Sequence, residues 1–136
     1  MAQKISKRIL DNVNLLPLFE GMRILEIGCG PGTAAREISN RLHKVEILAI
    51  DRSAKAIAQA KSLSQEEIES GKLTFQQIAI EDFELRDSIQ KFDLIFAIRV
   101  GAMDGRHPEI GTLAQKNIEK VLKPNGQLFI DGIRKK

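Results

Sequence analysis

MRILEIGCGPGT, residues 22–33 of this 136-residue chain, is the stretch that decides the fold. Its first half is aliphatic around Glu26, which predicts a short strand buried on both faces of a sheet. Three glycines then follow at every second position: Gly28, Gly30 and Gly32. Because they lack Cβ atoms, they predict a tight turn with positive φ angles, where a ligand can approach the main chain closely. Thr33 is expected to begin a helix whose free N–H groups would suit a carboxylate or phosphate.

The glycine spacing also bears on which ligand the turn holds. The dinucleotide-binding fingerprint places its third glycine three residues after the second, beside a pyrophosphate. Here that position is occupied by Thr33. A nicotinamide-dependent oxidoreductase is therefore the disfavoured alternative. The chain also contains no tyrosine, which a Tyr-Lys proton relay would need.

Composition predicts one globular domain spanning residues 1–136. Hydrophobic residues make up 43% and charged residues 29% of the sequence, and its apolar runs are strand-sized. The N-terminus lacks the apolar core of a signal peptide, so a cytoplasmic location is expected. The one cysteine, Cys29, lies within the glycine turn and is interpreted as a small filler rather than a nucleophile. His43 and His107 are far apart in sequence, so no metal site is predicted.

Charge and aromatic content bear on nucleic-acid binding. The net charge is +3, and the basic residues are densest at the two ends of the sequence. There is no Trp and no Tyr, and the six Phe lie mostly inside apolar runs, so no platform for stacking bases is evident. Neither a nucleic acid nor a membrane is therefore expected as a partner.

Apolar patterns predict five strands that alternate with helices. After an amphipathic helix within residues 1–20, the strands are expected at 22–27, 45–51, 73–77, 92–98 and 127–133. The intervening helices are expected at 33–42, 54–63, 84–89 and 110–121. Right-handed crossovers turn this alternation into an open parallel sheet with helices on both faces, a three-layer α/β/α fold. Ligands bind such sheets beyond the carboxyl ends of the strands, where the strand order reverses.

Asp51 ends the second predicted strand, beside the glycine turn in such a sheet. Its carboxylate can accept hydrogen bonds from both hydroxyls of a ribose, which any adenosine-type cofactor offers. The alternative is that Asp51 caps the following helix. Because Ser53 is available as that cap, we expect Asp51 to bind ribose.

Four motifs, in this order, resemble those of the class I S-adenosyl-L-methionine (SAM)-dependent methyltransferases. EIGCGPG at 26–32 resembles motif I, and Asp51 resembles the motif II acid. FDLI at 92–95 resembles the start of motif IV, and LKPNGQL at 122–128 resembles the turn before the fifth strand. The resemblance implies a Rossmann-like methyltransferase fold with strand order 3-2-1-4-5. It also implies methyl transfer from SAM, with S-adenosyl-L-homocysteine as the product.

The resemblance further implies which residues hold the cofactor. The glycine turn would surround the methionine part of SAM, Asp51 would hold the ribose, and the loop after the third strand would surround adenine. The predicted set is Glu26, Gly28, Cys29, Gly30, Gly32, Asp51, Arg52, Ile80, Glu81 and Ala97. The family often has an acid after the third strand that contacts the adenine amino group, but Ala79 stands there in this sequence. Adenine would then rely on the main chain at Ile80 and on Glu81 or Asp82.

The methyl acceptor is expected to be a small molecule. Relatives that methylate base amines carry an Asn/Asp-Pro-Pro-aromatic run after the fourth strand, whereas residues 97–100 here are AIRV. No catalytic residue is assigned. The polar candidates near the pocket mouth are Arg99, Asp104, Arg106, His107 and Glu109. A hypothesis of a different class is a SAM-binding module or subunit without catalysis of its own.

The end of the sequence predicts a shortened sheet. The family usually continues past the fifth strand with two more strands, whereas this sequence stops at Lys136. An apolar fifth strand would then lie at an exposed sheet edge, which proteins normally cover or pair. A homodimer through this edge is the simplest closed solution. The alternative is that residues 134–136 cover the edge within the same chain.

Overall fold

The computed structural model describes residues 5–85, 90–100 and 108–136 of the chain. Its strands are β1 (Met22–Ile27), β2 (Val45–Asp51), β3 (Leu73–Gln77), β4 (Phe92–Ala97), β5 (Leu122–Ile130) and β6 (Ile133–Arg134). Its helices are α1 (Lys7–Leu15), α2 (Thr33–Arg41), α3 (Ala54–Leu63), α4 (Gln65–Glu69) and α5 (Pro108–Val121). A 3₁₀ turn lies at Ile80–Asp82. Helices separate the strands as the sequence predicts, except that only the 3₁₀ turn is described between β3 and β4 and that β6 follows β5 directly.

The strands form one sheet in the order β3-β2-β1-β4-β5-β6. β1 lies near the centre and pairs in parallel with β2 on one side and β4 on the other. The remaining pairs are also parallel, except for the antiparallel pair of β5 and β6. The predicted α/β fold with strand order 3-2-1-4-5 is confirmed. The strand order reverses between β1 and β4, where ligands of such sheets bind.

Each face of the sheet carries its own buried core, so the fold has three layers. On one face, α1, α2 and α3 contribute Val13, Ile38 and Ile57 to the core. On the other face, Ile118 of α5 belongs to the same cluster as Phe92. Neighbouring residues of β1 alternate between the two cores, which explains why its aliphatic run shows no polar alternation.

The helix boundaries follow local signals, with differences at three helices. The helix at the N-terminus is shorter than the predicted range 1–20, because Ser6 caps α1 and Leu16 ends it before Pro17. α5 begins two residues earlier than predicted, since Pro108 suits the first helical position. Of the helix predicted at 84–89, the first two residues are irregular and 86–89 lie outside the described residues. No helix in the described ranges has the length and apolar content that crossing a bilayer requires.

The predicted fifth strand, 127–133, is wrong at both ends. β5 begins five residues earlier, at Leu122, where the Lys-Pro-Asn-Gly segment was expected to form a turn. A register shift between β4 and β5, located between Phe92 and Leu94, accommodates this segment within the strand. The segment predicted as a turn therefore lies inside β5, where residues 123–126 are unpaired opposite Asp93 of β4.

β5 ends at Ile130 because Asp131 and Gly132 turn the chain back. Their φ angles are 51° and 79°, and positive φ at both central residues is the type I′ hairpin geometry that Asp-Gly favours. Asp131 also fastens the turn to the segment after β4. Its N–H donates to Ala97 O (2.9 Å), and its Oδ1 accepts from Arg99 N (2.7 Å).

The C-terminal tail continues the hairpin along β5. Beyond β6, Lys135 N donates to Leu128 O (2.7 Å) and Leu128 N donates to Lys136 O (3.0 Å). The prediction of a five-stranded sheet is therefore corrected to six strands, with the chain's own tail on the fifth strand. The homodimer through the fifth-strand edge stays a prediction.

Asp131→Ala is expected to lower the free energy of unfolding by about 1–2 kcal/mol, because it removes an acceptor and strains a positive φ. Asp131→Asn should retain most of the stability, since asparagine tolerates this φ and its amide oxygen can accept from Arg99 N. Urea denaturation of the two variants and the native protein measures the difference. Equal losses would contradict this account and would point to the charge of Asp131, which lies 3.7 Å from Arg8 Nη2.

Candidate cofactor site

The glycine turn after β1 lies at the carboxyl edge of the sheet, as predicted. Gly28, Gly30 and Gly32 have positive φ angles of 68°, 54° and 84°. Cys29 N donates to Ile50 O (2.9 Å), which fastens the turn to β2. Gly32 is the N-cap of α2. Repeated positive φ is readily adopted only by glycine, so the turn depends on these residues.

The three glycines have different surroundings. A Cβ on Gly28 would collide with the side chain of Val100, and one on Gly32 would lie 2.8 Å from Phe75 Cζ. A Cβ on Gly30 would meet no atom of the described residues within 4 Å. Gly28 and Gly32 thus allow close packing, whereas Gly30 faces open space where a ligand can lie against the main chain.

Asp51 joins the loops that follow three strands. Its Oδ2 accepts from Gly30 N and its Oδ1 accepts from Ser53 N, each at 2.9 Å. Its main-chain oxygen accepts from Ile78 N (2.9 Å), just after β3. The cap of α3 is Ser53, as predicted, whose Oγ accepts from Ala56 N (3.1 Å). Each carboxylate oxygen of Asp51 keeps a second lone-pair direction for another donor.

Glu26 is a buried carboxyl group at the end of β1. The residue is 3% exposed, and its Oε1 has no hydrogen-bond partner among the described residues. Burial, followed by the charge of Asp51, raises the pKa of Glu26 to about 8, although Arg36 and the Ala35 backbone act in the opposite direction. A cationic group brought to this position would stabilise the ionised carboxylate.

Glu26→Gln is expected to flatten the pH dependence of the free energy of unfolding. The folded pKa of about 8 lies above the ordinary value of 4.5, so between these values the native state binds more protons than the unfolded state. Native stability should therefore fall as pH rises through this window, by roughly 1.4 kcal/mol per pH unit at most. Glutamine does not ionise, so the variant should lose less stability over the same window.

Urea denaturation at several pH values between about 5 and 8.5 measures the Glu26 effect. Glu46→Gln is the matched control, because Glu46 lies on β2 with its side chain 66% exposed. Parallel pH profiles for the native protein and Glu26→Gln would contradict the raised pKa.

Cys29 is buried within the glycine turn. Burial, followed by the charges of Glu26 and Asp51, raises its pKa far above the usual range of a thiol. The side chain is therefore a thiol rather than a thiolate, which is the nucleophilic form. These properties agree with its interpretation as a small filler.

The segment after β3 is held from two sides. On one side, Glu81 Oε2 pairs with Arg52 Nη2 at 2.5 Å, which links the segment to the end of β2. On the other side, Asn117 of α5 donates from Nδ2 to Ile80 O (2.8 Å) and to Glu81 O (2.9 Å). Asn117 could not be recognised from the sequence, because an amide in the middle of a helix carries no local signal of its partners.

The end of β4 forms the other border of the site. Ala97 is buried, in register between Ile27 of β1 and Ile130 of β5. Arg99 follows with a φ of 56°, and Glu109 is exposed in the first turn of α5. The other polar candidates lie outside the described residues: Asp104, Arg106 and His107. Within the described part of the chain, no group of three or more His, Cys, Asp or Glu is placed to hold a metal.

The structure brings the predicted cofactor residues to one edge of the sheet. They lie at the carboxyl ends of β1, β2 and β4 and just after β3. The hydrogen bond from Gly30 to Asp51 joins the first two motifs, and the ion pair of Arg52 with Glu81 joins the second to the loop after β3. Their individual roles in holding a cofactor stay predictions.

Comparison with known proteins identifies the family. A family model described as a methyltransferase domain matches residues 18–136. This chain belongs to that methyltransferase family. The matched range includes all ten residues of the predicted cofactor set.

Individual relatives agree with the family match. The O-methyltransferase resE of Aspergillus sclerotiorum is 33% identical over 111 residues, covering 81% of this chain and 39% of that protein. PKMT2 from Rickettsia typhi, solved in complex with AdoHcy, is 25% identical, with a TM-score of 0.70 over 92% of this chain and 24% of that one. The [4+2]-cyclase SpnF, at 24% identity, shares the fold with a TM-score of 0.74 over 90% of this chain and 42% of that one. The chain spans between 18% and 46% of the length of the curated relatives that it matches.

SAM is the cofactor of this methyltransferase domain. Three features of the site fit it: the open space at Gly30, the lone pairs of Asp51 and the unpartnered carboxyl of Glu26. The open space leaves room for SAM beside the main chain, the lone pairs can accept from its ribose hydroxyls, and the carboxyl can pair with its cationic groups. The family match gives no support to the nicotinamide hypothesis.

Proposed function

We propose that this domain transfers the methyl group of SAM to a small-molecule acceptor. The observation that carries the proposal is the hydrogen bond from Gly30 N to Asp51 Oδ2, beside the buried Glu26. It joins an open main-chain surface, a fixed carboxylate and a buried acid at one position. SAM is a molecule that uses all three, because it combines a ribose with an ammonium group and a sulfonium.

The residues of the chain would each bind one part of the cofactor. Asp51 would accept hydrogen bonds from the ribose hydroxyls through its remaining lone pairs, while its bonds to Gly30 and Ser53 hold the carboxylate in place. Glu26 would pair with the ammonium group. This pairing would lower the pKa of the Glu26 carboxyl, which would then release a proton near neutral pH. The main chain at Gly30 would lie against the methionine part.

Methyl transfer makes few further demands on the chain. SAM supplies the electrophile, a methyl group on a sulfonium, so the protein must align the acceptor and exclude water. A general base is needed only when the nucleophile arrives protonated. The similarity to an O-methyltransferase supports an oxygen acceptor, and residues 97–100 lack the run that base-amine methylation uses. No catalytic residue is assigned.

Asp51→Ala is expected to weaken binding of S-adenosyl-L-homocysteine by about 1–3 kcal/mol, the scale of lost hydrogen bonds to a charged group. Calorimetric titration measures the affinity. Glu46→Ala is the matched control, because it removes a carboxylate from the amino-terminal end of the same strand. Unchanged affinity in Asp51→Ala would remove this residue from the proposed site.

Gly30→Ala tests whether the open space at the glycine turn belongs to the cofactor. Its control is Gly21→Ala, at the other end of β1, where φ is 88° and a Cβ would also meet no described atom within 4 Å. Both variants should lose about 1 kcal/mol of stability through backbone strain. Only Gly30→Ala should weaken S-adenosyl-L-homocysteine binding in calorimetry, since its methyl group would occupy ligand space. Equal affinities of the two variants would contradict the placement.

Methyl transfer itself is tested with SAM labelled at the methyl group and the low-molecular-mass fraction of a cell extract. We expect label in small molecules, resolved by mass spectrometry, with native protein and with Glu46→Ala. Asp51→Ala should give much less product. Binding of S-adenosyl-L-homocysteine without transfer to any small molecule would instead favour a SAM-binding module without catalysis of its own.

A further inference from the structure

We propose that Asn117 is a positioning residue for the adenine end of the cofactor site, a role that rests on the proposed function. Asn117 lies in the middle of α5, on the helix that follows β4. It acts through the main chain at Ile80 and Glu81, to which its amide donates hydrogen bonds of 2.8 Å and 2.9 Å. Both residues belong to the segment after β3 that the resemblance to the methyltransferases places around adenine.

The amide group of Asn117 uses both of its N–H bonds in this contact. An asparagine NH₂ group has two donors, and here each points to a different carbonyl oxygen. Because both partners can only accept, the amide nitrogen must face them, and the orientation of the side chain is fixed. Ile80 O also accepts from Phe83 N (3.1 Å). The amide therefore bridges two neighbouring carbonyls of the 3₁₀ turn.

The 3₁₀ turn depends on such outside support. It has three residues, and 3₁₀ hydrogen bonds have poor geometry. The ion pair of Glu81 with Arg52 holds the turn from the other side, but the Arg52 side chain is 63% exposed, so solvent weakens the pair. The Asn117 bonds are part-buried and do not depend on charge. They are therefore the firmer restraint on this segment.

The identity of residue 79 makes the main-chain position important. Ala79 has no side-chain acceptor for the adenine amino group, so we expect recognition of the base to depend on the main chain at Ile80 and on Glu81 or Asp82. Main-chain groups can bind the base only when the segment lies at the correct distance and orientation relative to adenine. Asn117 restrains both, because it binds the carbonyl groups of two successive peptide bonds, Ile80–Glu81 and Glu81–Asp82.

Two ligand probes separate this role from a general structural one. S-adenosyl-L-homocysteine contains adenine, whereas S-ribosyl-L-homocysteine carries the same amino acid and a ribose but no base. The affinities of both are measured by calorimetry for the native protein, Asn117→Ala and Asn117→Asp. Asn117→Asp has nearly the same shape as the native residue but presents acceptors to both carbonyls. Gln115→Ala is the matched control, since it removes an amide from another face of α5.

Asn117→Ala should bind S-adenosyl-L-homocysteine about tenfold more weakly, the scale of one to two hydrogen bonds, and Asn117→Asp more weakly still. Both variants should keep the native affinity for S-ribosyl-L-homocysteine, and Gln115→Ala should keep both affinities. Equal losses for the two probes, or no loss for either, would overturn the positioning role. Should Asn117→Ala fail to fold, the ratio of the two affinities in Asn117→Asp decides the question. A native protein that binds neither probe would overturn the proposed function, and the positioning role with it.

Discussion

β1 is hydrogen-bonded to a parallel strand on each side, and the candidate site depends on this central position. Parallel neighbours end at the same edge of a sheet, so the loops after β1, β2 and β4 meet there. The same position buries both faces of β1, which leaves the side chain of Glu26 buried. The packing that stabilises the sheet is thus also the cause of the raised pKa at the site.

The site contains backbone and side-chain features that destabilise a folded chain. The turn after β1 repeats positive φ angles, and a buried carboxyl oxygen on Glu26 lacks a partner. Both features oppose folding, and such departures are common where a protein binds ligands. The surroundings offset them in part, because Asp51 accepts from Gly30 N and Ile50 accepts from Cys29 N. These two hydrogen bonds therefore hold the main chain of the glycine turn against β2.

Features with a local signal could be predicted from the sequence, and features that depend on distant contacts could not. The glycine turn and Asp51 are recognised from a few neighbouring residues and the strand before them. Residues 124–126 have the composition of a turn and lie unpaired between two parts of β5 that pair with β4, so that their place inside the strand depends on contacts outside the segment. The Asp-Gly turn at 131–132 had a local signal, yet the strand after it has only two residues, too few for a periodic pattern. Asn117 gave no signal, because its partners lie 36 and 37 residues away.

The acidic lining made by Glu26 and Asp51 has a consequence for competition among metabolites. Nucleoside phosphates share adenosine with SAM, but they carry anionic groups on the 5′ side where SAM carries a sulfonium. A phosphate next to Asp51 would be repelled, and it would hold Glu26 in its protonated form without gaining an ion pair. A cation in the same place gains a carboxylate partner. In the proposed site, Glu26 and Asp51 would therefore favour adenosine-containing molecules with a cation on the 5′ side over ATP and ADP.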